Sequence, residues 1–217
     1  MAINEQANHL EANGCLKGKK YLTLTWGCQM NERDSEIIGG MLEEIGMVPE
    51  SSPHRADVVV LNTCCVREKA ELKVYGKIGE LVRLKRDHPE MVIVVCGCMV
   101  QQKDVPEQII QRFPEVNLVL GTHNLYRLPE LLQNLEGKGS LIEVFEERPA
   151  DMPDSLLLSQ KSQLKAKVNI SFGCNNFCSY CIVPYVRGRE VSRNPKVIID
   201  EIAYLAANGC KEVMLLG

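Results

Sequence analysis

The sequence predicts an α/β protein built on a doubly wound parallel sheet, followed by a shorter second unit. Two observations carry this. Short runs of unbroken apolar residues recur through the first two thirds of the chain, each followed by a segment of helical spacing. A polar, proline-bearing stretch then interrupts the pattern, and a new apolar run begins beyond it.

The elements follow in order. Residues 21–26 (YLTLTW) predict the first strand. Residues 30–46 predict a helix, with Ile37, Ile38, Met41, Leu42 and Ile45 on one face. Residues 57–61 (DVVVL) are a β-branched run, and so a buried strand. Residues 66–88 predict a long polar helix with a stripe of Leu72, Ile78, Leu81, Val82 and Leu84. Residues 91–95 (MVIVV) predict the next strand. A helix over 105–113 has Pro106 in its first turn. Residues 116–120 predict a strand, 128–135 a helix and 141–145 a final strand. This βαβαβαβαβ order spans residues 20–146, behind a polar extension over 1–19. Residues 147–165 read as a linker. In the second unit, 166–217, a strand over 166–172 leads into a cysteine loop. An amphipathic helix over 195–208, closed by Gly209, and a strand over 213–216 complete it. One βα unit and a further strand cannot close a barrel, so the second unit is expected to be truncated and the chain to be the front of a longer protein.

Composition sets the class. Apolar residues make up 45% and charged residues 24%, which excludes wholesale disorder. A net charge of −3 gives no bulk signal for nucleic acid. The first residues have no apolar core, unlike a secretory signal. No run reaches the roughly 20 apolar residues of a membrane span. The expectation is a soluble, cytoplasmic protein with no membrane partner. In a reducing compartment, ten grouped cysteines point to metal or redox chemistry rather than disulfides.

The densest group is Cys174, Cys178 and Cys181, spaced C-x3-C-x2-C. A structural zinc site usually has four protein ligands, and no fourth stands nearby. Iron–sulfur clusters are likewise held by four thiolates as a rule, and three leave one iron open to a small molecule. A zinc knuckle and an open cluster both remain possible on spacing. Three further cysteines, Cys28, Cys64 and Cys98, each follow a predicted strand. Parallel strand ends share one edge, where ligands bind. Cys96 lies inside a strand run and Cys210 beyond a helix, and both read as buried apolar residues. Cys15 sits in the leader, and Cys65, beside Cys64, is ambiguous.

With Tyr180 just before its last cysteine, the loop resembles the radical S-adenosylmethionine signature. The ordered set GCQMNERDSE, NTCCVRE, GCMVQ and YVRGREVSR resembles the methylthiotransferase family, in its tRNA-modifying branch. The resemblance covers roughly residues 20–217. It implies a first domain carrying an auxiliary 4Fe–4S cluster on Cys28, Cys64 and Cys98, then the start of a radical (βα)6 partial barrel. It implies a second 4Fe–4S cluster on Cys174, Cys178 and Cys181, whose open iron takes the amino and carboxylate groups of S-adenosylmethionine, with Tyr180 near the adenine. The implied reaction adds a methylthio group to carbon 2 of N6-isopentenyladenosine beside a tRNA anticodon, using an electron donor such as flavodoxin or ferredoxin. The chain alone is expected to be inactive. Three alternatives stand beside this reading: methylthiolation of a ribosomal protein, methylthiolation of a threonylcarbamoyladenosine tRNA, and a non-catalytic iron–sulfur or zinc scaffold. Arg187, Arg189 and Arg193 are candidates for contacting phosphate or the cosubstrate carboxylate. Lys69, Lys73, Lys77, Arg83, Lys85 and Arg86 are candidates for a tRNA backbone contact.

Overall fold

The computed structural model describes residues 16–65, 68–135, 139–147, 149 and 164–217. Cys15, the side chain of Lys69 and most of the expected linker lie outside what is described. Six strands form one parallel sheet among the described residues: β1 (Lys20–Thr25), β2 (Val48–Pro49), β3 (Val58–Thr63), β4 (Val92–Gly97), β5 (Leu118–Leu120) and β6 (Leu141–Glu143). Their order across the sheet is β2-β1-β3-β4-β5-β6.

The two-residue β2 was not legible in the sequence, yet it sets the winding. The chain leaves β1 through α1 (Gln29–Glu44) and moves outward to β2, where Val48 pairs with Lys20. It then returns past β1 to β3 on the opposite side, so the direction of winding reverses at β1. The helices divide accordingly. α1 and α4 (Leu128–Gln133) pack on one face, and α2 (Glu68–Asp87) and α3 (Val105–Arg112) on the other.

β3 shows how the sequence specifies both layers. Val58 and Val60 enter one core with Ile38, Met41, Leu42 and Leu128. Val59 and Leu61 enter the other with Val74, Ile78, Leu81 and Ile109. Successive side chains point to opposite faces, and both faces are covered, so the strand reads as an unbroken apolar run. The α2 stripe differs from expectation at one end. Leu72 is 66% exposed, and Val74 takes the buried position.

The second unit pairs β7 (Lys165–Asn169) in parallel with β10 (Glu212–Leu216), across α6 (Pro195–Ala207). The Asn194 side chain caps α6 by accepting from the Lys196 N–H at 2.9 Å. Ala166 and Val168 pack against Ile198, Ile202 and Leu205. The strand expected over 166–172 is broken. Past Ile170, whose N–H donates to the Leu216 carbonyl at 2.7 Å, β8 (Ser171–Phe172) turns away. It forms an antiparallel hairpin with β9 (Val191–Ser192). A period of two is common to parallel and antiparallel strands, so the break left no mark on the pattern.

Gly97 ends β4 at φ 96° and ψ −167°, a region open essentially only to glycine. A Cβ there would lie 2.6 Å from the Thr63 backbone nitrogen and 2.5 Å from Asn62 Oδ1. Gly97→Ala is therefore expected to cost at least about 1–3 kcal/mol from the backbone alone. Gly76 in α2 has open space around it, and Gly76→Ala is expected to gain about 0.5–1 kcal/mol. Urea midpoints moving in opposite directions would bear this out. A neutral Gly97→Ala would show that the strand end relaxes.

Candidate functional site

In a doubly wound sheet, the crevice opens where winding reverses, at the carboxyl ends of the strands flanking the switch. Here those strands are β1 and β3. Cys28 immediately precedes α1, Cys64 directly follows β3, and Cys98 opens a 3-10 turn (Cys98–Gln101) after β4. Cys28 is exposed, whereas Cys64 and Cys98 are buried.

Asn31 organises these residues from the first turn of α1. Its Nδ2 donates to the Thr63 carbonyl at 2.9 Å and to Asn62 Oδ1 at 3.3 Å. In return, Asn62 Nδ2 donates to the Asn31 carbonyl at 2.8 Å. The Asn31 amide is thereby fixed with its oxygen aimed at the thiols. Cys28 Sγ lies 3.4 Å from that oxygen and Cys98 Sγ 4.0 Å. Cys64 joins the group from the end of β3, against the residues that follow β1. Gly27, at φ 137°, comes so near that a Cβ would sit 2.9 Å from the Cys64 Cβ.

The second cysteine group rides on the loop between β8 and β9. Cys174 N–H donates to the Gly188 carbonyl at 3.1 Å, and Cys181 N–H to the Cys178 carbonyl at 2.9 Å. The loop thus folds back on itself and presents Cys178 to solvent, with Cys174 and Cys181 half-buried. Tyr180 is 90% exposed on the same loop. Phe177 holds a left-handed backbone at φ 46° and meets Tyr185 edge-on at 6.0 Å. Nearby, the Asn169 amide at the end of β7 is fully buried. Neither its oxygen nor its nitrogen has a hydrogen-bond partner among the described residues.

A short helix, α5 (Val183–Val186), carries the loop to the first group. Thr122 Oγ1 donates to the Val186 carbonyl at 2.8 Å. The next residue, Arg187, reaches into the crevice. Its Nε donates to Cys98 Sγ at 3.1 Å, and one terminal nitrogen meets Asp34 Oδ2 at 2.7 Å and Asn31 Oδ1 at 3.3 Å. Burial works against the guanidinium charge, but Asp34 and the Cys98 sulfur outweigh it, so its pKa is raised and it stays charged. Burial also pushes the Cys98 thiol up, and Arg187 beside it opposes that shift.

The same opening turns of α1 hold the second unit by further charges. Arg33 pairs with Glu201 at 2.8 Å, and Glu201 pairs with Arg193 at 2.8 Å, all three buried. Lys167 bridges Glu32 at 3.1 Å and Glu36 at 3.2 Å.

Three sequence expectations change in consequence. Arg187 and Arg193 are not open contacts for phosphate. One serves the cysteine crevice, and the other is locked to Glu201 and to the Asn169 carbonyl at 2.7 Å. Lys85 donates to Asn117 Oδ1 at 2.5 Å and to the Glu115 carbonyl at 3.0 Å, so it braces the sheet rather than a partner. Cys96 and Cys210 are core residues, as their positions suggested. Cys65 is half-buried against the second core, its thiol pushed up to about 12 by burial, with Cys98 and Cys64 adding to the shift. The crevice roles of Asn31, Asp34 and Arg187 were missed. One signal was available: the apolar spacing of α1 begins only at Ile37, leaving NERDSE as two polar turns on a helix packed against a sheet.

No three His, Cys, Asp or Glu side chains among the described residues come close enough to hold a single metal ion. A four-iron cluster makes a different demand, because each thiolate binds a separate iron around a bulky group. Thiols on three separate strand ends, beside a fixed cation, suit that demand in softness and in charge. The loop supplies three more thiols with the same chemistry.

The comparisons divide the chain in the same way. The profile of an uncharacterized protein family, UPF0004, matches residues 20–121, and that of the radical SAM superfamily matches residues 168–217. A tRNA-2-methylthio-N(6)-dimethylallyladenosine synthase of Clostridium novyi is 52% identical over 200 residues, covering 92% of this chain and 44% of that protein. Proteins of that same name from Alkaliphilus oremlandii and Clostridium tetani are 52% identical over 202 residues and 47% identical over 216. The chain spans about half the length of these curated relatives, 43% and 47% in the last two cases.

Proposed function

Because the chain belongs to the methylthiotransferase family of radical S-adenosylmethionine proteins, we propose that the whole protein methylthiolates tRNA, at carbon 2 of N6-isopentenyladenosine beside the anticodon. One observation supports this most directly: Cys28, Cys64 and Cys98 gather at the switch-point crevice, and the loop bearing Cys174, Cys178 and Cys181 docks against it through Arg187. The radical SAM match implies one 4Fe–4S cluster and S-adenosylmethionine. Cys174, Cys178 and Cys181 would hold that cluster, and Cys28, Cys64 and Cys98 a second one. Bound there, these groups supply the radical and the sulfur that an unactivated aromatic carbon requires.

The chain's own residues do the rest. Buried Cys64 and Cys98, closed over by Asn31 and Arg187, keep water from the inner side of the first site. The unsatisfied Asn169 amide offers a donor and an acceptor to a polar cosubstrate at the end of β7. Tyr180, exposed on the loop, would lie near the adenine. The base enters splayed from its loop, as single-stranded RNA bases commonly do. A flavodoxin- or ferredoxin-like donor supplies electrons, and the protein works in the cytoplasm. No helix among the described residues is long and apolar enough to cross a membrane.

Anaerobic reconstitution of the whole protein should yield about eight irons with matching sulfide. Replacing Cys174, Cys178 and Cys181 together by alanine should remove about half. Nucleoside mass spectrometry of tRNA treated with the intact protein should show the 2-methylthio product. Stoichiometric zinc without labile sulfide would sink the reading.

A further inference from the structure

Arg187 lies six residues past the last cysteine of the loop, yet its side chain belongs to the other cysteine group. Both of its flanks are fixed. The Val186 carbonyl accepts from Thr122 of the first domain. Gly188, at φ 77°, lies against His123, where a Cβ would stand 3.2 Å from the ring, and its carbonyl accepts from Cys174 N–H. The same three residues therefore touch the backbone of one cysteine group and the sulfur of the other.

The guanidinium is not spent on a two-pronged pair with Asp34. One nitrogen serves that carboxylate, while Nε is turned to the Cys98 sulfur. Asn31 Oδ1, which accepts from Arg187, also accepts from Cys28 Sγ at 3.4 Å. An N–H donor to a ligating sulfur, and a buried positive charge that salt cannot screen, both favour the more negative, reduced state of a cluster. A buried carboxylate disfavours it.

We infer that Arg187 is a positioning residue that sets the reduction potential of a cluster held by Cys28, Cys64 and Cys98, with Asp34 as the opposing charge. This rests on the reading that those three cysteines hold a cluster. Because Arg187 comes from the radical loop, the first site acquires its potential only when the two units are docked.

The test uses the whole protein with Cys174, Cys178 and Cys181 replaced by alanine, so that one cluster remains. Its midpoint is read by a dithionite titration followed by electron paramagnetic resonance. Arg187→Met should shift the midpoint downward, Asp34→Asn should shift it upward, and Arg187→Lys, which keeps charge and a donor, should stay near the parent. A purely structural role would move neither, or both in one direction, and either result overturns the inference. If Arg187→Met fails to retain iron, the absence of an upward shift in Asp34→Asn overturns it alone. A parent that binds no iron–sulfur cluster would instead retire the reading of the site, a failure distinct from a cluster whose potential ignores Arg187.

Discussion

Cys28→Ala in the whole protein is expected to abolish the methylthio nucleoside while 5′-deoxyadenosine formation under dithionite continues. Cys28 stands at the exposed mouth of the crevice, in contact with Asn31, and takes no part in the loop of Cys174, Cys178 and Cys181. Residues that merely orient a metal ligand cost about 10–100-fold when removed, so loss of a ligand should cost at least about 100-fold in product. Radical generation asks only for the loop, the cosubstrate and a reductant. Cys64→Ala should behave like Cys28→Ala. Cys65→Ala should retain both activities, because its half-buried thiol packs toward the second core. Normal product from Cys28→Ala would take Cys28 out of the site. Loss of product from Cys65→Ala, with Cys64→Ala active, would exchange the two neighbours.

Glu201→Ala should be the most destabilising single change at the junction of the two units. It removes the carboxylate between two buried guanidinium groups, those of Arg33 and Arg193. Breaking a buried ion pair from one side typically costs about 3–5 kcal/mol, because the remaining charge stays out of water. Glu201→Gln keeps the shape and one of the two acceptor oxygens but not the charge, and should fall between wild type and alanine. Urea denaturation of the apo protein measures both. An alanine variant within about 0.5 kcal/mol of wild type, the range of an ordinary surface change, would mean that the junction opens to water.

The strands of the first sheet were legible because both faces are covered: β3 and β4 carry unbroken apolar runs that no solvated segment would need. What the pattern could not carry was β2, two residues long and containing a proline, and with it the reason that the sheet winds both ways. The cysteines were legible because each stands just past a strand. Asn31, Asp34 and Arg187 were not, because a buried polar residue is spelled the same way as an exposed one. Only its partner, 31 residues away for Asn31 and 153 for Asp34, reveals the difference. Arg193 illustrates the opposite error: a loop arginine beside other arginines reads as open to anions, whereas here it is committed to Glu201.

The charged opening turns of α1 have an evolutionary consequence. Glu32, Arg33, Asp34 and Glu36 are consecutive or nearly so, but their partners Lys167, Arg187 and Glu201 lie on three different elements of the second unit. Arg33 and Glu36 also pair within the stretch at 3.1 Å, but Glu32 and Asp34 find their partners only in the second unit. Drift should therefore be concerted, with substitutions in α1 matched by ones more than 130 residues away, and the Arg33 and Lys167 sets coupled because Arg33 also pairs with Glu36. Two halves drawn from diverged relatives would clash here before any core residue did. A chimera joined in the linker should recover when the α1 stretch is carried over with the second unit.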